Sequence, residues 1–159
     1  PFLPWGTGAM GYNLPAAAGF ALAKKLKGEE GIVYCLVSDG ELNIGSTWES
    51  LAIAAHQQLS NLVLIVDKNS WQAMGATKSI LSMDPLQDKL RAFGWNVSTI
   101  DGHDHQAILK ELTSPRTGNP RVIIAETVKG KGWKRAENNN LFHYSHVSDE
   151  MLEEALLEL

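Results

Sequence analysis

The order of apolar and polar positions along this chain predicts strands that alternate with helices. Residues 32–37 and 62–66 are short continuous apolar runs, which is the pattern of fully buried strands. Residues 96–100 and 121–127 predict two further strands. Residues 46–58 predict a helix between the first two runs, because they open with a hydroxyl followed three positions later by a carboxylate, the form of a capping box. This alternation is typical of an α/β fold with a doubly wound, mostly parallel sheet and helices on both faces.

Further helices are predicted from short polar residues that precede a helical pattern and can act as N-caps. These residues are Asn13, Asp84, Asp104 and Ser148. The last helix carries an apolar stripe at helical spacing over residues 151–159. We expect this stripe to face the core or an interface.

The composition limits the class of protein. The 159 residues are 44% hydrophobic, which is enough for one sizeable core, so we predict a single domain over residues 1–159. With 14 basic and 18 acidic residues the formal charge is −4, and no long basic run is present, so we expect no nucleic-acid partner. Cys35 lies in a predicted strand and is expected to be buried. Without a signal-like start or an apolar stretch of membrane-spanning length, we expect no membrane partner and a cytoplasmic location.

Polar residues end the first two predicted strands. Asp39 and Gly40 follow the first strand, and Asn69 follows the second. Because crossovers between parallel strands are right-handed, the loops after both strands emerge at the same edge of the sheet, and Asp39 should meet Asn69. Carboxylate and amide oxygens suit Mg²⁺, whose other ligands can be phosphate oxygens, and Gly40 would admit a phosphate closely. Taken singly, each residue is an ordinary turn residue.

These residues also carry a resemblance to a known family. The stretch from Ser38-Asp39-Gly40 to Asn69 is similar to the thiamine-diphosphate motif, Gly-Asp-Gly followed some thirty residues later by Asn. An ordered series of other short motifs, covering nearly the whole chain, resembles transketolase. These motifs lie at residues 8–11, 16–19, 41–43, 48–49, 61–62, 75–77, 93–95, 101–104, 127–132 and 137–139.

The resemblance implies a thiamine-diphosphate-binding fold, with thiamine diphosphate and Mg²⁺ (or Ca²⁺ or Mn²⁺) as cofactors. The implied metal ligands are Asp39, Asn69 and the backbone carbonyl of Trp71. The implied cofactor contacts also include Gly8, Met10, Gly40, Lys129 and His143, with the Gly8 and Met10 backbone directed to the aminopyrimidine ring. His143 corresponds to a family histidine that contacts the diphosphate and the substrate, so it is the predicted catalytic residue. From the residues alone, Lys129 fits a solvated basic loop and His143 a surface histidine.

Three positions depart from the family pattern. Ser38 replaces the first glycine of the motif, which is acceptable if its backbone φ is negative. Ile44 stands where many members carry an acid at the subunit interface, so a proton relay that needs this acid is in doubt. Tyr144 replaces the glycine that commonly follows the late histidine.

The family's ring-activating glutamate belongs to a pyrimidine-binding domain, and no residue here matches it. The resemblance therefore implies a partner chain with a pyrimidine-binding domain, as in a split transketolase, assembled as a dimer of heterodimers that is inactive as single chains. The expected reaction transfers a two-carbon ketol unit from a ketose to an aldose. We also expect that residues 1–159 lack the family's usual segment before Gly8. The alternatives are a ketoacid dehydrogenase or deoxyxylulose-phosphate synthase type of enzyme, and a non-catalytic cofactor-binding or regulatory module.

Overall fold

The computed structural model of the protein describes residues 5–115 and 117–158. The helices are α1 (Asn13–Lys27), α2 (Gly45–His56), α3 (Thr77–Leu81), α4 (Leu86–Ala92), α5 (His105–Leu112) and α6 (Asp149–Leu156). The strands are β1 (Val33–Ser38), β2 (Leu62–Lys68), β3 (Trp71–Gln72), β4 (Gly75–Ala76), β5 (Asn96–Asp101) and β6 (Arg121–Glu126). Two 3₁₀ helices cover Asp39–Asn43 and Asn140–His143.

The main sheet contains four parallel strands in the order β1-β2-β6-β5. Val33 pairs with Leu62, and Arg121 pairs with both Val63 and Asn96. Because all four strands run in one direction, the loops that follow them share the carboxyl edge of the sheet. The predicted α/β fold with a parallel sheet is therefore confirmed. The strands β3 and β4 form a separate antiparallel pair directly after β2.

One face of the sheet carries the main core. Alternate residues of β1, β2 and β6 pack under α1, α2 and α4, and most of them are fully buried. Trp95 joins this core and donates its indole N–H to the Leu51 carbonyl at 2.9 Å, so its one polar atom is satisfied. Removing a large side chain here, such as Leu64, would cost about 2–5 kcal/mol through lost burial and the cavity left behind.

The opposite face is only partly covered. Helix α5 lies over β5 on this face, where the Ser98 hydroxyl donates to Glu111 and the Tyr34 hydroxyl donates to the Leu112 carbonyl. On β1 the side chains of Tyr34 and Leu36 remain 48% and 66% exposed. The expectation that residues 32–37 form a fully buried strand is therefore wrong for this face, because β1 is an edge strand of the described sheet and α5 lies mainly over β5.

The predicted N-caps divide into two groups. Asp104 and Ser148 accept hydrogen bonds from the first turns of α5 and α6, as predicted. Asn13 is instead the first residue of α1, and α4 begins after Pro85 without a side-chain cap. The capping box at residues 46–49 is also wrong, because α2 already begins at Gly45 without a side-chain cap.

The last helix does not join the core. No residue of α6 is buried, and Leu152 and Leu156 are 50% and 61% exposed, so the apolar stripe expected over residues 151–159 does not face the core. Leu159 lies outside the described residues. Among the helices of the described part of the chain, none combines the length and apolar character needed to cross a bilayer.

Candidate functional site

The loops after β1 and β2 meet at the carboxyl edge of the sheet. Asp39 opens the 3₁₀ helix that follows β1, and its Oδ2 atom accepts a hydrogen bond from the Ser70 backbone N–H at 2.8 Å. Asn69 is the neighbour of Ser70 in the loop after β2. The structure thus brings together the two residues that topology predicted to meet, and their role as metal ligands stays a prediction.

The Asp39 carboxylate has an unsatisfied oxygen. The residue is only 8% exposed, and its buried Oδ1 atom has no hydrogen-bond partner among the described residues. Burial raises the pKa of the Asp39 carboxyl above its usual range, and the nearby Asp67 adds to this effect, whereas backbone N–H groups of Ser70 and Gly40 oppose it. A buried carboxylate oxygen without a donor is a costly arrangement unless a cation neutralises it. Asp39 therefore fits the role of a metal ligand.

Asn69 is held in a fixed orientation. Its Oδ1 atom accepts from the Trp71 N–H at 2.9 Å, and its Nδ2 atom donates to Asp67 Oδ2 at 3.1 Å. An amide oxygen has a second lone pair, so Asn69 can also offer an oxygen to a cation. Within residues 5–115 and 117–158, no three His, Cys, Asp or Glu side chains gather as a metal cluster. The predicted donor set of one carboxylate, one amide and one backbone carbonyl is of a different kind, suited to Mg²⁺.

Asp67 is a residue that the sequence reasoning missed. Besides accepting from Asn69, its carboxylate accepts a hydrogen bond from the Thr127 hydroxyl, which lies just after β6. Asp67 therefore links the loop that carries Asn69 to the loop after the neighbouring strand.

A cleft of 340 Å³ lies beside this edge. Gly8 and Met10 line it from one side, and Ser38, Glu41 and Asp67 line it from the other. The loop that carries Gly8 and Met10 thus faces the start of the 3₁₀ helix. The cleft thus lies between the Gly8 loop and residues that flank Asp39 on either side in the chain, and a second pocket is lined by Asp39 itself with Lys68 and Ser70.

Gly40 is buried between Gln72 of β3 and Met10 of the Gly8 loop. A Cβ atom added at Gly40 would lie 3.1 Å from Gln72 Cβ and 3.7 Å from the Met10 methyl carbon. The first distance is tighter than ordinary van der Waals contact, so a side chain here would push the β3 segment away. Glycine therefore keeps the 3₁₀ helix close to its neighbours.

Ser38 adopts an ordinary extended backbone, with φ −84° and ψ 163°. The expectation that serine is tolerated in place of the motif glycine is confirmed, since only a positive φ would have disfavoured it. Its hydroxyl accepts a hydrogen bond from the Glu41 N–H at 3.3 Å and caps the 3₁₀ helix. The replacement therefore supports the local structure.

The loop after β6 carries Lys129. Gly130 has φ +73°, and a Cβ atom there would lie 2.4 Å from the Ala136 carbonyl oxygen, so only glycine fits this turn. Lys131 lies 3.8 Å from the Glu137 carboxylate, which partly neutralises it. Lys129 is half-buried, and among the described residues its ammonium group forms no ion pair. Lys129 is thus the better placed of the two lysines to meet an anion.

The segment that contains His143 contacts the loop after β2 through other residues of the same segment. The Asn140 amide donates to the Ala73 carbonyl at 3.1 Å, and the Trp71 indole donates to Asn138 at 3.3 Å. His143 itself is exposed, with its ring 4.7 Å from that of Tyr144. Within the described ranges, no hydrogen bond joins its side chain to the Asp39 loop.

The fold is that of an α/β domain, a class in which ligands commonly bind at the carboxyl ends of parallel strands. The family model "Transketolase, thiamine diphosphate binding domain" matches residues 4–156. The chain therefore belongs to the transketolase family and corresponds to its thiamine-diphosphate-binding domain.

Individual relatives agree with this assignment. The chain is 41% identical over 160 residues to one of the subunits of an apulose-4-phosphate transketolase from Actinobacillus succinogenes, covering 100% of this chain and 58% of the relative. It is 36% identical over 155 residues to "6-deoxy-6-sulfo-D-fructose transketolase subunit SqwG" of a Clostridium species, covering 96% and 56%. A solved transketolase from Campylobacter jejuni superposes with a TM-score of 0.90 at 29% identity, covering 96% of this chain and 25% of that one. The chain thus spans less than two thirds of each of these proteins.

Proposed function

We propose that this chain is the diphosphate- and metal-binding part of a transketolase-like transferase, which moves a two-carbon ketol unit from a ketose to an aldose. Membership of the family supports the reaction class, and the names of two relatives as transketolase subunits support a divided enzyme. The observation that carries the proposal is the buried Asp39 Oδ1 atom, which has no hydrogen-bond partner in the described part of the chain and lies where the loops after β1 and β2 meet.

The proposed cofactors are thiamine diphosphate and Mg²⁺, which Ca²⁺ or Mn²⁺ could replace. Asp39, Asn69 and the Trp71 backbone carbonyl would hold the cation. When bound, thiamine diphosphate supplies a nucleophilic carbon and an electron sink for cleaving a carbon–carbon bond next to a carbonyl. The chain's own task is to fix the charged end of this cofactor and to keep its ring oriented.

Several residues would share that task. The turn at Gly130 packs the loop backbone against Ala136, and the preceding residue, Lys129, would offset diphosphate charge. The backbone of Gly8 and Met10 would meet the aminopyrimidine ring across the cleft. His143 would contact the diphosphate and the substrate once its exposed segment orders around them.

The partner would be a second chain with a pyrimidine-binding domain, in a dimer of heterodimers. The word "subunit" in the relatives' names supports a second chain. We place this assembly in the cytoplasm. The substrates would be anionic sugars, because the relatives' names contain a sugar phosphate and a sulfonated sugar.

Calorimetry with thiamine diphosphate and Mg²⁺ tests the site. We expect Asp39→Ala to weaken cofactor binding by at least about 100-fold, because it removes the only charged metal ligand in the predicted set. Asp88→Ala is the matched control, since Asp88 is an exposed aspartate on α4 whose ion pair is with Arg91. Unchanged affinity in folded Asp39→Ala would refute the proposed metal site.

A second candidate is a non-catalytic cofactor-binding module, which the apolar Ile44 at the position of a family acid favours. Mixing the chain with a protein that carries the pyrimidine-binding domain and measuring ketol transfer separates the two. Turnover that requires both chains supports the enzyme. Cofactor binding without turnover supports the module.

A further inference from the structure

Gly11 is held from both sides of its backbone by side chains from distant elements. Its N–H donates to Glu41 Oε1 at 2.8 Å, and its carbonyl accepts from the Ser46 hydroxyl at 2.7 Å. Glu41 is only 4% exposed, and Gly11 is buried. A hydrogen bond to a buried carboxylate is stronger than one between neutral groups, so the contact with Glu41 restrains this backbone firmly.

The space around Gly11 permits no side chain. Its φ is +84°, and a Cβ atom there would lie 2.4 Å from Ile44 Cγ2 and 2.6 Å from Ser46 Oγ. Glycine is therefore required both by the backbone angle and by the close approach of two side chains. The N-terminus of α2 and the preceding 3₁₀ helix together enclose this one residue.

The contact with Ser46 also explains why the predicted capping box failed. A capping serine would use its oxygen to accept from the first turn of its own helix. Here Ser46 is already inside α2 and donates its proton to the Gly11 carbonyl. The residue therefore serves the Gly8 loop instead of the helix end.

We infer that Glu41 and Ser46 are positioning residues that clamp Gly11 and thereby fix the Gly8–Met10 backbone against the Asp39 helix for cofactor binding. This inference rests on the proposed function. Glu41 belongs to the same five-residue 3₁₀ helix as Asp39, so one short element carries both the predicted metal ligand and the clamp. This 3₁₀ helix thus fixes the position of the Gly8–Met10 backbone relative to Asp39.

Two variants and a control separate positioning from simple packing. Glu41→Ala removes the acceptor, Glu41→Gln retains an amide oxygen that can accept from Gly11, and Glu49→Ala changes an exposed glutamate on α2. Hydrogen exchange of the Gly11 amide, measured by NMR without cofactor, reports the clamp directly. Calorimetry with thiamine diphosphate and Mg²⁺ reports its effect on the site.

We expect Glu41→Ala to speed Gly11 exchange by about tenfold or more, because a hydrogen bond to a charged group is lost. We expect it to weaken cofactor affinity by about tenfold or more, the range found when residues that orient a ligand set are removed. Glu41→Gln should restore both within about threefold, because the hydrogen bond persists without the full charge. Glu49→Ala should leave both unchanged. If Glu41→Ala does not fold, Ser46→Ala tests the other half of the clamp, with the same direction of change in cofactor affinity.

The outcomes are distinct. Unchanged Gly11 exchange in Glu41→Ala shows that the clamp does not exist. Faster exchange with unchanged cofactor affinity shows that the clamp does not position the cofactor site. If the wild-type chain binds no cofactor, the proposed function and the positioning role both fall, while the exchange data still report the clamp itself.

Discussion

The two halves of the candidate site differ in how firmly the chain holds them. The half formed by the ends of β1 and β2 contains Asp39, only 8% exposed, and Asn69, whose amide is bonded at both atoms. The half formed by the segments after β6 contains Lys129, which is half-buried, and His143, which is exposed. The first half is thus built before a ligand arrives, whereas the second presents its predicted groups on the surface.

The difference follows from the sheet. Residues that end neighbouring parallel strands inherit the positions of those strands, and the register of β1 with β2 pairs Ser38 directly with Asp67. The segment after β6 leaves the sheet, and it returns to the first half through the contacts of Asn138 with Trp71 and of Asn140 with Ala73. We expect ligand binding to order the second half against a first half that moves little.

In this comparison the largest loss of cofactor affinity should come from a substitution at Asp67, which orients Asn69 in the first half. Asp67→Ala frees the Asn69 amide and the Thr127 hydroxyl, so the predicted metal ligand loses its fixed orientation. We expect cofactor affinity in the presence of Mg²⁺ to fall by about 10–100-fold, as is usual when a residue that orients a metal ligand is removed.

Asp101→Ala is the matched control, because Asp101 ends β5 at the same edge of the sheet and its carboxylate accepts from the local His103 N–H. Calorimetry of both variants checks the prediction. Equal losses in the two variants, or no loss in Asp67→Ala, would mean that the first half does not depend on this network.

A smaller effect is expected in the second half, at Lys129. Lys129→Ala should weaken cofactor binding by about fivefold, because a partly exposed charge pair contributes about 1 kcal/mol or less. The loss should shrink as salt is raised, since screening already weakens the same attraction in the wild type. Binding isotherms at low and high salt measure both.

Lys131→Ala is the internal control in this loop, since Lys131 lies next to Glu137. A loss for Lys131→Ala as large as for Lys129→Ala would show that the loop acts through its total charge. A hundredfold loss for Lys129→Ala would show that the second half is as fixed as the first, which would break the comparison.

The parts of the fold that follow from local patterns were predictable. The apolar runs located β1 and β2, and the predicted strands at residues 96–100 and 121–127 matched β5 and β6, each within a residue or two. Crossover handedness predicted that the loops of Asp39 and Asn69 meet. The exposure of Tyr34 and Leu36 was not predictable, because it depends on which strand lies at the edge of the sheet. The residues of a strand do not by themselves determine whether it lies at the edge or in the centre of a sheet.

The same reason explains the residues of the site that sequence reasoning missed. Glu41 and Ser46 act on Gly11, some thirty or more positions earlier, and Asp67 acts on Thr127, sixty positions later. From the sequence, these three residues were given a local role or no role, because their partners come close only when the chain is folded. Asp39 and Asn69 were found because each directly follows a strand, and the crossover rule predicts that the two strands are parallel and that their loops share one edge.

The last prediction concerns Cys35, which has no expected role in cofactor binding, and tests whether the first half stays closed. The thiol is buried in β1, and burial, with a smaller contribution from the nearby Glu41 charge, raises its pKa from 9.0 to about 12. Because the folded pKa lies above the unfolded one, the thiol's contribution to stability is complete below pH 9 and is lost as the pH rises towards 12. At pH 8 the native chain should therefore react with a thiol reagent at least about 100-fold more slowly than the urea-unfolded chain, because both burial and the scarcity of thiolate oppose the reaction. Rapid stoichiometric labelling of the native chain at pH 8 would show that β1 opens readily, and the Asp39 half of the site could not then be the rigid one.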